Sequence, residues 1–274
     1  MTAVRVRAPA STANIGPGFD CAAVALDLWN ELEVTDGDNE LELDLDHLGV
    51  RAFARLAPVD GRRFAFVDRI PRERGLGSSA AVIALGLVAA AAAEGLSLSA
   101  EELLAEGVGL EGHADNLAAA LAGGVCLTWD ARIARLADDA PAVPIALVPE
   151  ATVSTAAARA ALPDDVAHGD AVFTSAHAAL LGAALAKGSS DLFAEALADR
   201  LHEPYRAAGA PLLAAVRGDP PASALGSTLS GSGPTVIVWA RPDSARACAQ
   251  ELEARFPDVS VLTLSVSREG AHAL

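Results

Sequence analysis

The run Gly75-Leu76-Gly77-Ser78-Ser79 stands directly ahead of the apolar stretch Ala80 to Leu96, and those residue types in that order suit the holding of an anion. Glycine lets a backbone approach a ligand closely, and the free N–H groups at the mouth of a helix carry the positive end of its dipole. Ser78 and Ser79 add hydroxyls able to cap the helix, bond a phosphate oxygen or coordinate Mg²⁺. Taken by itself, such a loop reads first as an ordinary helix-opening turn, because short glycine motifs recur by chance. Lys187 is the only lysine in the chain, and neither GxxxxGK[ST] nor the lysine-centred protein-kinase set occurs. Any polyphosphate bound here is therefore held without an ammonium group from a phosphate-loop lysine.

The elements around this loop follow from periodicity. Val4 to Pro9 alternates as a strand does, Ser11 to Asp20 supplies turn chemistry, and strand spacing returns at Asn30 to Thr35 and Glu40 to Leu45. Leu48 to Leu56 has helical spacing, and a strand from Phe64 to Val67 leads into the glycine-serine loop. The apolar run after the loop is short for a membrane span and contains Gly86 and Glu94, so it reads as a buried helix. Ser99 with Glu102 forms a capping box for a helix to about Gly109, and an Ala-rich helix after Asp115-Asn116 ends at Gly123-Gly124.

Asp138 to Pro144 combines charge, small residues and two prolines and reads as a linker. Two domains are expected, 1–141 and 142–274. Past the linker come a strand over Ile145 to Val148, helices over Thr155 to Ala161, Asp170 to Ala186 and Leu192 to His202, a strand over Thr235 to Ala240, a helix over Ser244 to Phe256 and a strand over Val259 to Val266. The pattern is α+β.

Composition bounds the partners. A hydrophobic fraction of 52% in 274 residues supports a large core. Cys21, Cys126 and Cys248 are odd in number and widely spaced, which indicates neither a disulfide framework nor a zinc site and fits a cytoplasmic protein. The net charge of −16 argues against nucleic acid as a partner, and no segment reads as a leader or a membrane anchor.

Read as one phrase, Pro71-x-x-x-Gly75-Leu76-Gly77-Ser78-Ser79-Ala80-Ala81 resembles the phosphate loop of the GHMP kinase superfamily, and the late motif Ser230-Gly231-Ser232-Gly233-Pro234-Thr235 is similar to that superfamily's second glycine motif. Within it, Ala10 to Asp20, Glu111 to Asn116, Ser154-Thr155 with Arg159, Leu162 and Pro163, and His202-Glu203-Pro204-Tyr205-Arg206 resemble blocks of the homoserine kinase family. The resemblance spans Val4 to about Val238. It implies a two-lobed fold, with an N-terminal ribosomal-S5-like α+β domain and a C-terminal ferredoxin-like α+β domain, and a cytoplasmic homodimer.

The same resemblance implies that ATP is held by Pro71, Gly75, Leu76, Gly77, Ser78, Ser79 and Ala80. It places Mg²⁺ at Ser79 and Glu111, where Glu106 competes for the metal role and the family motif favours the glutamate near Asp115-Asn116, and the amino-acid substrate among Asn14, Asp20, Asp115, Asn116, Arg159 and Arg206. Asn116, Asp115 and Arg206 take the catalytic roles. These roles are chemically coherent, because guanidinium forks match an α-carboxylate and Asp20 or Asp115 matches an ammonium. Read singly, each residue has a plainer account as a turn residue, helix cap or surface ion-pair partner, and His113 and His202 read as packing or capping residues. Asp46-His47-Leu48 departs from the family's usual base-contact segment, and Thr174 and His177 depart from an expected Asn and Arg. Threonine, a mevalonate-like alcohol or a sugar as acceptor, and a non-catalytic ligand sensor, remain alternatives.

Overall fold

The computed structural model describes residues 3–37 and 46–274. The strand expected over Glu40 to Leu45 lies outside the described residues. In chain order the elements are β1 (Val4–Asn14), β2 (Gly18–Asp36), α1 (Leu48–Phe53), β3 (Arg62–Val67), α2 (Ser78–Ala93), α3 (Ala100–Glu111), α4 (Asp115–Ala122), β4 (Val125–Trp129) and β5 (Arg132–Ala137). They continue with β6 (Val143–Val148), α5 (Thr155–Ala160), α6 (His168–Lys187), α7 (Ser190–Ala196), α8 (Glu203–Arg206), a 3₁₀ turn at Ala207–Gly209, α9 (Pro211–Gly218), β7 (Ala224–Leu229), β8 (Val236–Ala240), α10 (Ala245–Arg255), β9 (Ser260–Thr263) and β10 (His272–Ala273).

Two antiparallel sheets organise these elements. The first has the order β10-β1-β2-β4-β5, with β3 also on β2, and the second β7-β8-β6-β9. In the second, the chain order strand, helices, two strands, helix, strand is the βαββαβ arrangement of a ferredoxin-like unit. The first sheet with α2, α3 and α4 is the ribosomal-S5-like unit. After β9 the chain returns to the first sheet: Val266 bridges Leu26 and β10 pairs with β1. The tail of the expected domain 142–274 therefore contributes to the N-terminal sheet.

α2 is apolar on every side and is wrapped by protein, with Ala80 through Ala91 buried. Its close approach to α1 depends on Gly86, where an added Cβ would fall 2.1 Å from Gly49 O. Among the described residues, α6 is the one helix long and apolar enough to cross a membrane by length and composition.

Several elements differ from the sequence reading. The helix expected over Leu192 to His202 stops at Ala196, because Asp199 accepts the backbone N–H groups of Leu201, His202 and Glu203 and starts a new helix, α8. Asp199 works as a cap rather than as a helix-interior residue. β2 is one long strand from Gly18, so the turn chemistry reduces to Asn14–Gly18, where Asn14 and Ile15 have φ of 75° and 45°. β4, β5, β7 and α9 have no counterpart in the sequence reading.

Gly86→Ala tests the helix packing. Alanine normally stabilises a helix interior by about 0.5–1 kcal/mol relative to glycine. Here overpacking against Gly49 should reverse the sign, with a net loss of about 1–2 kcal/mol in denaturant unfolding; a gain would show that α1 yields easily.

Candidate active site

α2 opens with Gly77 at its N-cap in the left-handed region, φ 66°, and no side chain caps the helix. Its mouth faces a cleft of about 210 Å³. Gly75, Gly77, Ser78, Ser79 and Pro71 line one side of this cleft, and Asn14, Asp20, Arg159, Arg206, Gly231 and Ser232 line another. Glu73, Glu111, His113, Asp115 and Asn116 complete it with residues 153–155. Leu76 and Ala80, expected with the nucleotide, are fully buried and do not line the cleft.

The two loop glycines answer to protein packing. A Cβ on Gly75 would lie 2.1 Å from Ser230 O, and one on Gly77 would lie 2.0 Å from Ser11 Oγ. Ser230 Oγ donates to Gly75 O at 2.6 Å and lies 2.8 Å from Thr12 Oγ1. Arg74 reaches the other lobe, donating to Pro149 O at 2.9 Å and Glu150 O at 2.8 Å. The loop is thus clamped between β1, the second glycine motif and the end of β6.

The residues expected around a substrate come together. Arg159 grips Asp20 with two bonds of 3.0 and 2.9 Å, joining α5 to β2. Asn14 is spent on architecture, since its Nδ2 donates to Gly231 O at 2.8 Å and its Oδ1 accepts from Asp20 N at 3.0 Å. The latter bond holds Asp20 at a φ of 55°, a strained value for a non-glycine residue. Arg206 is buried and donates to Ala158 O and to Gly231 O, both at 3.2 Å.

At the α4 end, Asp115 Oδ1 accepts from Asn116 N at 2.7 Å and from Asn116 Nδ2 at 3.3 Å, while Asn116 Oδ1 accepts from Ser11 Oγ at 2.8 Å. Ser11, expected as a turn residue, instead lies in β1 beside the loop, and no site role was expected of it. Ser79 Oγ donates to Glu111 Oε2 at 2.7 Å, bringing both expected metal groups together. His113, read as a packing residue, instead lines the cleft. Its buried Nδ1 lacks a hydrogen-bond partner and lies 3.7 Å from Glu111 Oε1 and 3.8 Å from Asp115 Oδ1.

Burial raises the pKa of both Glu111 and Asp115. The hydrogen bond from Ser79 opposes this at Glu111, and His113 opposes it at both carboxyls. No cluster of three or more His, Cys, Asp or Glu side chains among the described residues forms a metal cage. Two hard oxygen groups beside an uncapped helix mouth do fit Mg²⁺, which binds few protein ligands and completes its shell with phosphate and water oxygens. A cation would also relieve the desolvated carboxylates.

A two-sheet fold with a glycine-serine helix mouth in a cleft defines a class of small-molecule kinase. The family models described as "GHMP kinases N terminal domain" and "GHMP kinases C terminal" match residues 47–124 and 183–258. The chain is 40% identical to a homoserine kinase of Synechococcus sp., over 91% of this chain and 89% of the relative. The crystal structure of homoserine kinase from Cytophaga hutchinsonii superposes with a TM-score of 0.88 at 25% identity, covering 100% of this chain and 98% of that one. The Methanococcus jannaschii mevalonate kinase shares the fold at a TM-score of 0.72 and 13% identity, covering 96% and 98%. The chain belongs to the homoserine kinase family of GHMP kinases.

A carboxyl whose folded pKa lies above its unfolded value weakens the fold once it ionises. Its penalty is absent below the ordinary value of 3.8 for Asp115 and is complete above the raised folded value. Asp115→Asn should therefore flatten the fall in stability as pH rises from the ordinary value of 3.8, with its gain in Tm growing along that rise, measured by thermal unfolding. An unchanged profile would show that the carboxylate is already well solvated.

Proposed function

We propose that this chain phosphorylates the side-chain hydroxyl of homoserine with ATP, yielding O-phosphohomoserine for threonine biosynthesis. The observation that carries this reading is the convergence, in one cleft, of an uncapped helix mouth with a carboxylate–guanidinium set matched to a zwitterionic amino acid. Arg159 and Arg206 provide forks for the α-carboxylate, and Asp20 provides a partner for the ammonium. The nucleotide's polyphosphate sits on the amides of Gly77, Ser78 and Ser79, supported by Pro71 and Gly75. Ser79 and Glu111 hold Mg²⁺, which when bound neutralises charge on the phosphoryl oxygens.

Phosphoryl transfer needs alignment and charge stabilisation more than covalent participation by the protein. Asn116 fixes Asp115, whose Oδ1 is occupied by the Asn116 amide, so Oδ2 is left to orient the acceptor hydroxyl. The hydroxyl attacks the γ-phosphorus in line without complete prior deprotonation; as its bond to phosphorus forms, the bond from the γ-phosphorus to the bridging β-phosphate oxygen breaks, ADP leaves, and the proton passes to Asp115 Oδ2. Burial of Asp115 raises its basicity and so favours that late transfer. A division near residue 141 into an N-terminal phosphate-loop domain and a C-terminal GHMP kinase domain with the substrates in the cleft between them, a homodimer and a cytoplasmic location belong to the same reading.

A panel of homoserine, threonine, serine and mevalonate with coupled ADP detection tests the acceptor. Homoserine should lead in kcat/KM by about tenfold or more; mevalonate ahead of homoserine would reject the reading. Asp115→Ala, folded, should lose about 10²–10⁴ in kcat with a smaller change in ATP KM. Full turnover in that variant would remove Asp115 from the chemistry. Arg159→Ala should raise the homoserine KM and leave the ATP KM unchanged.

A further inference from the structure

Behind the cleft, and not among the residues that line it, His202 is packed at the start of α8 with no exposed side-chain surface. Its Nε2 lies 2.8 Å from Gly16 O, and a carbonyl can only accept, so Nε2 carries the proton. Its Nδ1 lies 3.4 Å from Arg206 Nη1, and a guanidinium can only donate, so Nδ1 presents its lone pair. The two partners select the same neutral tautomer from opposite sides of the ring.

The ring stacks on Phe19 at 5.0 Å and 19°, and the Arg206 guanidinium stands 5.1 Å from the centre of that same Phe19 ring. Gly16 cannot retreat from this bond readily. At φ 68°, an added Cβ on it would meet Leu197 O at 2.2 Å, so the turn between β1 and β2 is seated on the end of α7.

We propose that His202 is a positioning residue whose neutral Nε2–H tautomer ties the Gly16 carbonyl to the Arg206 guanidinium, fixing the turn that carries Asn14 against the arginine that meets the acceptor's carboxylate. The proposal rests on the assignment of Arg206 to that carboxylate. It separates His202 from a core filler, because an apolar side chain of equal volume would leave both Gly16 O and Arg206 short of a partner.

Protonation undoes the link, since an imidazolium turns a second N–H toward Arg206. The charged groups facing the ring are Asp199, Glu203 and Arg206. Asp199 Oδ2 is 3.6 Å from Nε2 and is occupied by two backbone N–H groups, while Glu203 is bonded to Leu229 N and Arg217. Burial holds the His202 pKa below its ordinary 6.5, with Asp199 and Glu203 working against that shift. The link is therefore intact at neutral pH and opens on acidification.

The experiment uses the full chain with His202→Gln and His202→Asn. The Gln amide keeps a donor near the Nε2 position and drops the Nδ1 acceptor, whereas Asn keeps an acceptor near Nδ1 and falls short of Gly16. In His202→Gln the amino-acid KM should rise about tenfold, the size of one lost hydrogen bond to a charged group, with kcat and ATP KM within about twofold. The part of the acid limb of amino-acid kcat/KM that belongs to His202 should vanish, while the part from Glu111 and Asp115 persists. His202→Asn should show the smaller KM change and the larger loss in Tm.

Independently of turnover, ¹⁵N spectra of the wild-type chain at neutral pH should show His202 with Nε2 protonated and Nδ1 bare. An Nδ1–H tautomer, an imidazolium at neutral pH, a wild-type amino-acid KM in His202→Gln, or equal changes in both substrates' KM would each overturn the proposal. Should a sugar or another alcohol without a carboxylate, assayed beside that panel, be preferred to homoserine, the assignment of Arg206 fails and the proposed function of His202 with it, although the spectrum would still report the tautomer.

Discussion

The site depends on one backbone contact: the first glycine loop lies directly against the second, with Gly75 so close to the carbonyl of Ser230 that no side chain fits between them. From that contact the rest follows. Ser230 Oγ donates to Gly75 O, Thr235 N donates to Arg74 O at 3.3 Å, and Gly231 N donates to Ala13 O at 3.1 Å, so three segments distant in sequence are fixed together. The mouth of α2 is aimed by this junction, and Gly231 O is in turn available to hold both Asn14 and Arg206. A glycine motif usually explained by closeness to phosphate is here required at least as much by closeness to protein.

The electrostatics of the cleft follow from the near absence of lysine. Its cations are Arg159 and Arg206, both engaged with protein acceptors, while Asp20, Glu73, Glu111 and Asp115 all line it. A polyphosphate entering such a space meets favourable amide dipoles but also four carboxyl groups. In the proposed reading, a divalent cation on the Glu111 side would offset the like charge that the loop amides meet at short range. Burial of Glu111 and Asp115 stores destabilisation that a cation and a substrate can relieve, which is how a binding site comes to be weaker than the fold around it.

The fold was legible where the pattern was strong. The buried α2, the capping box at Ser99 and Glu102, and the ferredoxin-like succession after Val143 all carry local signals that tertiary contacts do not override. β4, β5 and β7 escaped because short strands with small residues and mixed burial lack a clear period. The helix expected through His202 failed on Asp199, whose capping role depends on the fold bringing three backbone N–H groups around one carboxylate. Thr174 and His177, which break the family pattern, are used locally: Thr174 Oγ1 accepts from Arg200 N at 3.2 Å and the His177 ring stacks on Phe173 at 3.9 Å.

Of the site, the charged groups were readable and their supports were not. Asp20, Arg159 and Arg206 are conspicuous by type, and Ser79 with Glu111 by the motifs they occupy. Ser11, Thr12 and His202 are unremarkable by type, and His113 gives no spacing clue to its place in the cleft. What Ser11, Thr12 and His202 share is burial with a polar atom that must find a partner, a condition that fixes geometry strongly but leaves no mark on local sequence. The turn between β1 and β2 illustrates the consequence: Asn14, Ile15 and Asp20 take left-handed backbone angles, which Asn and Asp tolerate but the β-branched Ile15 resists, and the hydrogen bonds of Asn14 and the seat of Gly16 on Leu197 hold them there. Strain of that kind survives only where the surrounding structure over-determines it. The cleft-lining turn is therefore as much a product of the C-terminal lobe as of its own sequence.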